Sequence, residues 1–236
     1  GFTAKWLAPR LYRFAAAHPE IDTRIASTGA LANFRTDGVH VALRNLANDF
    51  VAQPDLVYER MFEASYMPVC SPRLIERLGA FETPEALRAA PLIHDDSLAT
   101  WTKTIGWAEW FARAGVADVD ASRGLRFSSA DHALDATVEG AGVLLASDVL
   151  AYDELRTARL VLPFALEMPS PLAYCVVYPK RLQDRPAVRA FRDWAKAEAD
   201  AMRWDACVSD CTRPAPGERA APSAPRPAKR QSRQRT

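Results

Sequence analysis

From residue 126 to residue 148 the chain reads RFSSADHALDATVEGAGVLLASD, and the spacing of its apolar positions changes twice. Arg126 and Phe127 close a short apolar strand. Ala130, Leu134 and Val138 then recur at four-residue intervals, one face of a helix, and residues 143–146 form an unbroken apolar run suited to a strand buried on both faces. Ser128 and Ser129 are N-cap types with Asp131 in the first turn, and Gly140 and Gly142 stop the helix. The stretch predicts a β-α-β unit. In an open α/β sheet the turn from strand to helix offers unpaired N–H groups and the positive end of a helix dipole, which makes Ser128 and Ser129 candidates for holding a carboxylate. Simple capping of the helix is the competing role for both.

The same alternation runs along the rest of the chain. Trp6, Leu7, Leu11 and Phe14 share one face and predict a helix over residues 5–17 that ends at His18-Pro19, with Pro9 tolerable in its first turn. Residues 21–26 alternate as a strand, residues 31–35 read as a short helix and residues 39–43 as a second strand. A crossover helix normally joins two parallel strands, yet no strand precedes this first helix, so the numbering is expected to start inside a domain. Further strands are predicted at residues 57–62, 65–70 and 91–94, with helices from Pro72 to a stop at Gly79, over residues 84–90 and over residues 108–114. Beyond residue 147 come a helix over residues 148–156, a strand over 160–164, a linker at 168–171, a buried strand over 173–178 and a last helix over 186–202. Strands alternating with helices place the chain in the α/β class with mostly parallel sheets.

The 30 basic and 29 acidic residues nearly cancel, but unevenly. From Arg203 onward eight basic residues stand against three acidic ones, which leaves the preceding body with 22 against 26 and ill suited to hold DNA by itself. Residues 212–236 contain five prolines and no large apolar side chain, so residues 203–236 are expected to be a disordered, basic, Pro-rich tail. Its Lys229, Arg230, Arg233 and Arg235 suit nonspecific contact with nucleic acid, or simple solvation. No stretch approaches the ~18 apolar residues of a membrane helix, and the first residues lack the apolar core of a signal peptide, so a cytoplasmic place without membrane attachment is expected. Cys70, Cys175, Cys207 and Cys211 form no C-x-x-C pair, which argues against a zinc site and a secreted disulfide framework.

Other chemistry is sparse. His94-Asp95-Asp96 has no second histidine cluster and reads as a strand-end cap before it reads as a metal site. Trp101, Trp107 and Trp110 group around one helix as core or as a subunit contact. With no nucleophile elbow, phosphate loop or HExxH, neither an enzyme nor a cofactor is expected.

In order, LAPRLYRFAAAHPEID, DGVHVALR, YMPVCSPRL, LIHDD, RFSSADHALDATVEGAGVLLASDVLAYDEL with LVLPF, and RPAVRAFRDWAKAE resemble the co-inducer-binding (substrate-binding) domain of LysR-type transcriptional regulators over residues 1 to about 200. L-HDD and PVCSP-L make the chain most similar to the glycine-cleavage activator and β-lactamase regulator branch. It departs from that branch at residues 44–50, RNLANDF, in a loop on the pocket side.

The resemblance implies a periplasmic-binding-protein-like fold of type 2, with two α/β subdomains joined by two crossover strands, SYMPVC and AYCVVY. Residues 1–67 plus 173–202 would form the first subdomain, lacking its first strand, and residues 71–169 the second. A small, anionic effector would sit between them. By the same resemblance Phe2, Thr3, Thr28, Ser128 and Ser129 face this cleft; Tyr66 and Tyr174, on the crossovers, are candidates to line it, with a core role as the equal alternative. Closure around the effector would shift the arrangement of a homo-oligomer and so regulate transcription, with DNA held only through an N-terminal helix-turn-helix that these residues do not contain. Cys70 and Cys175, on the two crossovers, could lie near each other, for packing or for sensing oxidants. The alternative is a free-standing solute-binding protein of the same fold, which would need a signal peptide.

Overall fold

The computed structural model describes residues 1–97 and 105–202. Trp101 and the expected tail 203–236 lie outside the described residues. Six strands, β1 (Ala42–Ala47), β2 (Leu56–Val69), β3 (Leu92–Asp95), β4 (Leu125–Phe127), β5 (Val143–Ser147) and β6 (Met168–Pro179), form one open mixed sheet in the order β1-β6-β2-β5-β3-β4. β3 runs parallel to β4 and β5, whereas β6 is antiparallel to β1 and β2, and β2 is antiparallel to β5. Around the sheet lie α1 (Ala8–Ala17), α2 (Pro72–Leu78), α3 (Trp107–Arg113), α4 (Ala130–Val138), α5 (Asp148–Arg156) and α6 (Pro186–Asp200). The class is α/β, as the alternation of strands and helices predicted.

The two strands expected at residues 57–62 and 65–70 are one strand, β2, and the break between them survives as register shifts at Arg60/Phe62 and Glu63/Ser65. The early part of β2 pairs with β6, while Tyr66, Met67, Pro68 and Val69 pair with β5. β2 thus carries the chain across the middle of the sheet. The predicted linker at residues 168–171 is the start of β6, where Pro169 lies opposite Ser65 at the second shift, a place where a missing ladder donor is tolerated.

Four other expectations need correction. Residues 21–26 form no strand and are almost entirely exposed. Alternation alone does not make a strand, and among the described residues this segment has no ladder to join. Residues 31–35 form no helix; Thr36 and Asp37 instead turn back to the Asn33 carbonyl. The strand placed at residues 39–43 begins only at Ala42. Residues 160–164 contribute a lone bridge in which Cys70 and Val161 exchange both backbone hydrogen bonds, at 3.1 and 2.8 Å.

The first helix is longer than its apolar face predicted, and Pro9 falls inside it. The segment Thr3–Leu7 opens as a wide π-turn, in which the Ala8 N–H reaches the Thr3 carbonyl, before α1 continues regularly. Proline supplies no N–H and crowds the preceding turn, and a widened turn accommodates both effects.

Helices α4 and α5 bury Leu134, Leu150 and Leu155 against Ile93 and Leu144 of the sheet. Leu74 of α2 and Trp107, Trp110 and Phe111 of α3 pack with Leu92 and Leu145 in a second cluster. Trp6 joins Val188 and Ala195 of α6 over Val176 and Tyr178 in a third. Gly140, with φ +85°, ends α4 as expected. Gly142 permits a close approach of two strands instead. A Cβ there would overlap the Pro91 carbonyl oxygen, which receives the Val143 N–H at 2.8 Å where β5 starts beside β3. Among the described residues no helix is long and apolar enough to cross a membrane.

Candidate functional site

Because β3, β4 and β5 are parallel, their C-terminal ends share one edge, and each ends in polar residues: Asp95-Asp96-Ser97, Ser128-Ser129 and Ser147-Asp148. The last two open α4 and α5. Beside this edge Tyr66 of β2 sits opposite Ser147 on one side and Met168 on the other. Tyr174 comes from β6, and the turn holding Phe2 and Thr3 arrives from the start of α1.

Most of the residues singled out in the sequence converge here. Phe2 stacks on Tyr174 with ring centroids 4.6 Å apart and on Trp6 at 4.9 Å, and Phe62 meets Trp6 and Tyr174 edge-on. This aromatic wall is continuous with the core. Tyr66 and Tyr174 are only 3% and 5% exposed. Burial favours the uncharged phenol of both and pushes them up from the ordinary tyrosine range. The Tyr174 hydroxyl interacts with that of Ser147. Thr3 is half-buried in the π-turn.

The serines behave unequally. Ser128 is exposed; Ser129 is half-buried and takes the N-cap position of α4 by its backbone, with its carbonyl accepting the Ala133 N–H. Its side chain does not cap the helix, because the hydroxyl is donated to the Asp131 carboxylate instead. Thr28 stands apart, exposed on the loop before β1, with its hydroxyl accepting the Ala30 N–H at 3.1 Å.

Two acids join this edge: Asp148, which was not among the residues singled out in the sequence, and Asp95, which the sequence places in a strand-end cap. Asp148 is 8% exposed, and its Oδ1 accepts the Val149 N–H at 2.6 Å. Burial pushes its carboxyl up to about 6, with nearby Glu167 acting in the same direction and bonds from the Val149 and Ser65 backbones opposing it. Asp95 is likewise raised by burial, against the bonds it accepts from Ser97. The signal was available: the strand-to-helix rule that selects Ser128-Ser129 after β4 selects Ser147-Asp148 after β5 equally well.

The remaining chemistry is already satisfied. His94 Nε2 lies 2.8 Å from the Arg123 carbonyl, and Asp96 holds Arg126 through two bonds of 2.6 and 3.0 Å. Among the described residues no three His, Cys, Asp or Glu side chains could hold a metal. Trp107 and Trp110 are core residues whose indole N–H groups reach the Ile93 and Leu166 carbonyls. A groove of about 460 Å³ beside α3 is lined by His94, Glu109, Asp120, Ser122 and Arg126, but Asp120 is engaged by Ser122 as Arg126 is by Asp96. Cys70 and Cys175 are not neighbours: Cys175 lies opposite Arg60, ten positions from Cys70 along β2, or about 33 Å.

Known proteins share the family and the fold of this chain. The family model described as LysR substrate binding domain matches residues 1–200. The glycine cleavage system transcriptional activator of Escherichia coli is 32% identical over 200 residues, 85% of this chain and 63% of that protein. The HTH-type transcriptional activator AmpR of Citrobacter koseri is 29% identical, over 82% of this chain and 62% of its own length. This chain therefore spans somewhat less than two thirds of these regulators. The effector domain of the transcriptional regulator AmpR of Pseudomonas aeruginosa superposes with a TM-score of 0.65 at 26% identity, covering 84% of this chain and 91% of that one. The chain belongs to the LysR substrate-binding domain family and has the fold of a LysR effector-binding domain.

Proposed function

We propose that this chain is the sensing part of a LysR-type DNA-binding transcriptional regulator, and that its small-molecule effector binds at the polar edge formed by β3, β4 and β5. The observation that carries this proposal is the convergence of three strand ends and the buried Tyr66 and Tyr174 at one place where β2 crosses the sheet. An acidic group of the effector would be taken by Ser128 and Ser129 at the start of α4, with Phe2 and Thr3 closing the site from α1. The halves of the molecule, residues 1–67 plus 173–202 and residues 71–169, would change their relative orientation on binding. In a homo-oligomer that change would reposition helix-turn-helix heads on DNA.

The test is a thermal-shift screen of the full chain against amino acids, sugar acids and cell-wall fragments. A ligand at 100 times its Kd adds about 2.7 kcal/mol, worth roughly 5–10 °C in a chain of this size. Ser129→Ala and Tyr174→Phe should each reduce the shift while leaving the melting temperature without ligand nearly unchanged. If no compound raises the melting temperature, the effector-binding proposal fails.

A further inference from the structure

The first helical segment is held to α4 and α5 by side chains of one sign on each side. Lys5 Nζ lies 2.6 Å from Asp135 of α4 and 3.4 Å from Glu154 of α5. Arg10 grips both carboxylate oxygens of Asp153 of α5, at 2.8 and 3.0 Å. Among the described residues, all side-chain ion pairs that join residues 1–67 plus 173–202 to residues 71–169 start from these two cations. Both cations are nearly buried.

A buried charge that loses its partner is costly, so a pair of this kind is usually a fixed part of a structure. Here each end of the Arg10–Asp153 bridge already has a second partner on its own side. Glu198 of α6 stands 4.0 Å from Arg10 Nε, and Arg156 stands 3.8 Å from Asp153 Oδ1. Glu154 is paired with Arg159 as well as with Lys5, and Asp135 is exposed. Separation of α1 from α5 therefore leaves neither Arg10 nor Asp153 without a counter-charge. Independently of these pairs, the same helices carry the proposed site at their starts, with Phe2 and Thr3 ahead of α1, Ser129 at α4, and Ser147 with Asp148 at α5. Asp135 follows Ser129 by about 9 Å along its helix and Asp153 follows Asp148 by about 7.5 Å. Whatever moves the helix starts moves the ion pairs with them.

We propose that Lys5 and Arg10 form a releasable latch between the two halves, which holds the arrangement in which Phe2 and Thr3 close the effector site. On release Arg10 passes from Asp153 to Glu198, and Asp153 passes to Arg156. The latch presupposes the effector-binding role and the reorientation argued above. It sets how much of the protein is closed before the effector arrives and, through that population, the apparent affinity.

Distances measured by fluorescence energy transfer in the full chain test the latch without any effector. Dyes are attached at Glu76→Cys on α2 and Arg189→Cys on α6, both exposed, in a Cys207→Ser, Cys211→Ser background where Cys70 and Cys175 stay buried. With the latch intact one distance should dominate. Asp135→Lys with Asp153→Asn should raise the population of a second distance at least threefold. Adding Glu198→Gln should reduce that population again, because Arg10 then has only a neutral acceptor on its own side. Pairs that merely stabilise the fold would lower the unfolding midpoint in all these variants without moving the distances, and that result overturns the latch. If the double variant does not fold, as circular dichroism would report, Lys5→Gln serves in its place. A compound that raises the melting temperature in the screen above should bind the double variant at least threefold more weakly, and equal binding overturns the latch. A ligand found in the screen while the distances stay fixed also overturns the latch, yet leaves the effector site standing. Distances that shift as expected while every compound stays silent support the exchange of partners and overturn the effector site.

Discussion

Arg10 of α1 and Asp153 of α5 form a two-pronged salt bridge, with Nη1 and Nη2 at 2.8 and 3.0 Å from the two carboxylate oxygens. Arg10 is 6% exposed, also donates to the Trp6 carbonyl at 3.0 Å and lies over the Trp6 ring at 5.4 Å. Its loss removes packing as well as charge. Arg10→Ala should lower stability by about 2–4 kcal/mol. Asp153→Asn should cost about 1–2 kcal/mol, because Arg10 keeps the Trp6 carbonyl and Glu198 at 4.0 Å. Urea unfolding of the two variants checks the order. Equal losses would mean that the ion pair, without the Trp6 contact, sets the cost.

Asp148 makes stability depend on pH in a direction opposite to most carboxylates. Its folded-state value of about 6 lies above its ordinary 3.8, so its contribution is fully present below 3.8 and is lost as pH rises through about 6. The full swing is about 3 kcal/mol as an upper figure. Relative to the wild type, Asp148→Asn should therefore gain stability as pH rises from 4 to 7. Denaturant midpoints for both proteins across that range are the measurement, and a gap that stays constant would contradict a buried, proton-holding Asp148.

Gly142 and Gly38 should respond differently to the same substitution. At Gly142 the added methyl collides with the Pro91 carbonyl, which is fixed by its bond to the Val143 N–H, so Gly142→Ala should cost about 3 kcal/mol. At Gly38 the Cβ would enter open space, and the penalty is only that of a backbone with φ +67°, about 1 kcal/mol. Melting temperatures of the two variants decide this, and a reversed order would place the β3–β5 junction differently.

Local signals in the sequence carried much of the fold. Helix α5 matches the predicted residues 148–156, and α2 lies between Ser71, whose hydroxyl accepts the Leu74 N–H at 3.3 Å, and Gly79 at φ +88°. These features depend on neighbours a few residues away. Residues 21–26 show the limit, since their alternation is present but a strand needs a partner, which no local pattern reports. The fusion of two predicted strands into β2 was hidden for a similar reason: pairing with both β5 and β6 carries it past its own irregularities. At the site, hydroxyls and aromatics stood out because strand-to-helix turns attract attention. Asp148 was overlooked because an acid at a helix start has an ordinary explanation, and only its burial makes it unusual.

Burial and separation together set the behaviour of the cysteines. Cys70 is fully buried, and burial pushes its thiol up to about 12, so almost none is thiolate at neutral pH. Cys175 is raised in the same way, with Arg60 opposing the shift. Thiolate is the reactive form, so both should be inert in the folded protein. They should also fail to join, because about 33 Å along β2 far exceeds the ~7 Å between Cα atoms that a disulfide spans. Cys207 and Cys211 would confuse a thiol count, so the measurement uses a Cys207→Ser, Cys211→Ser variant, titrated with an aromatic disulfide reagent before and after unfolding in guanidinium. Near-zero reaction in the native state and two thiols per chain after unfolding are expected, with the same two thiols recovered after treatment of the folded protein with diamide. A single thiol reacting rapidly in the native state would point to Cys175, where Arg60 favours the thiolate, and would make that strand a site of oxidant chemistry after all.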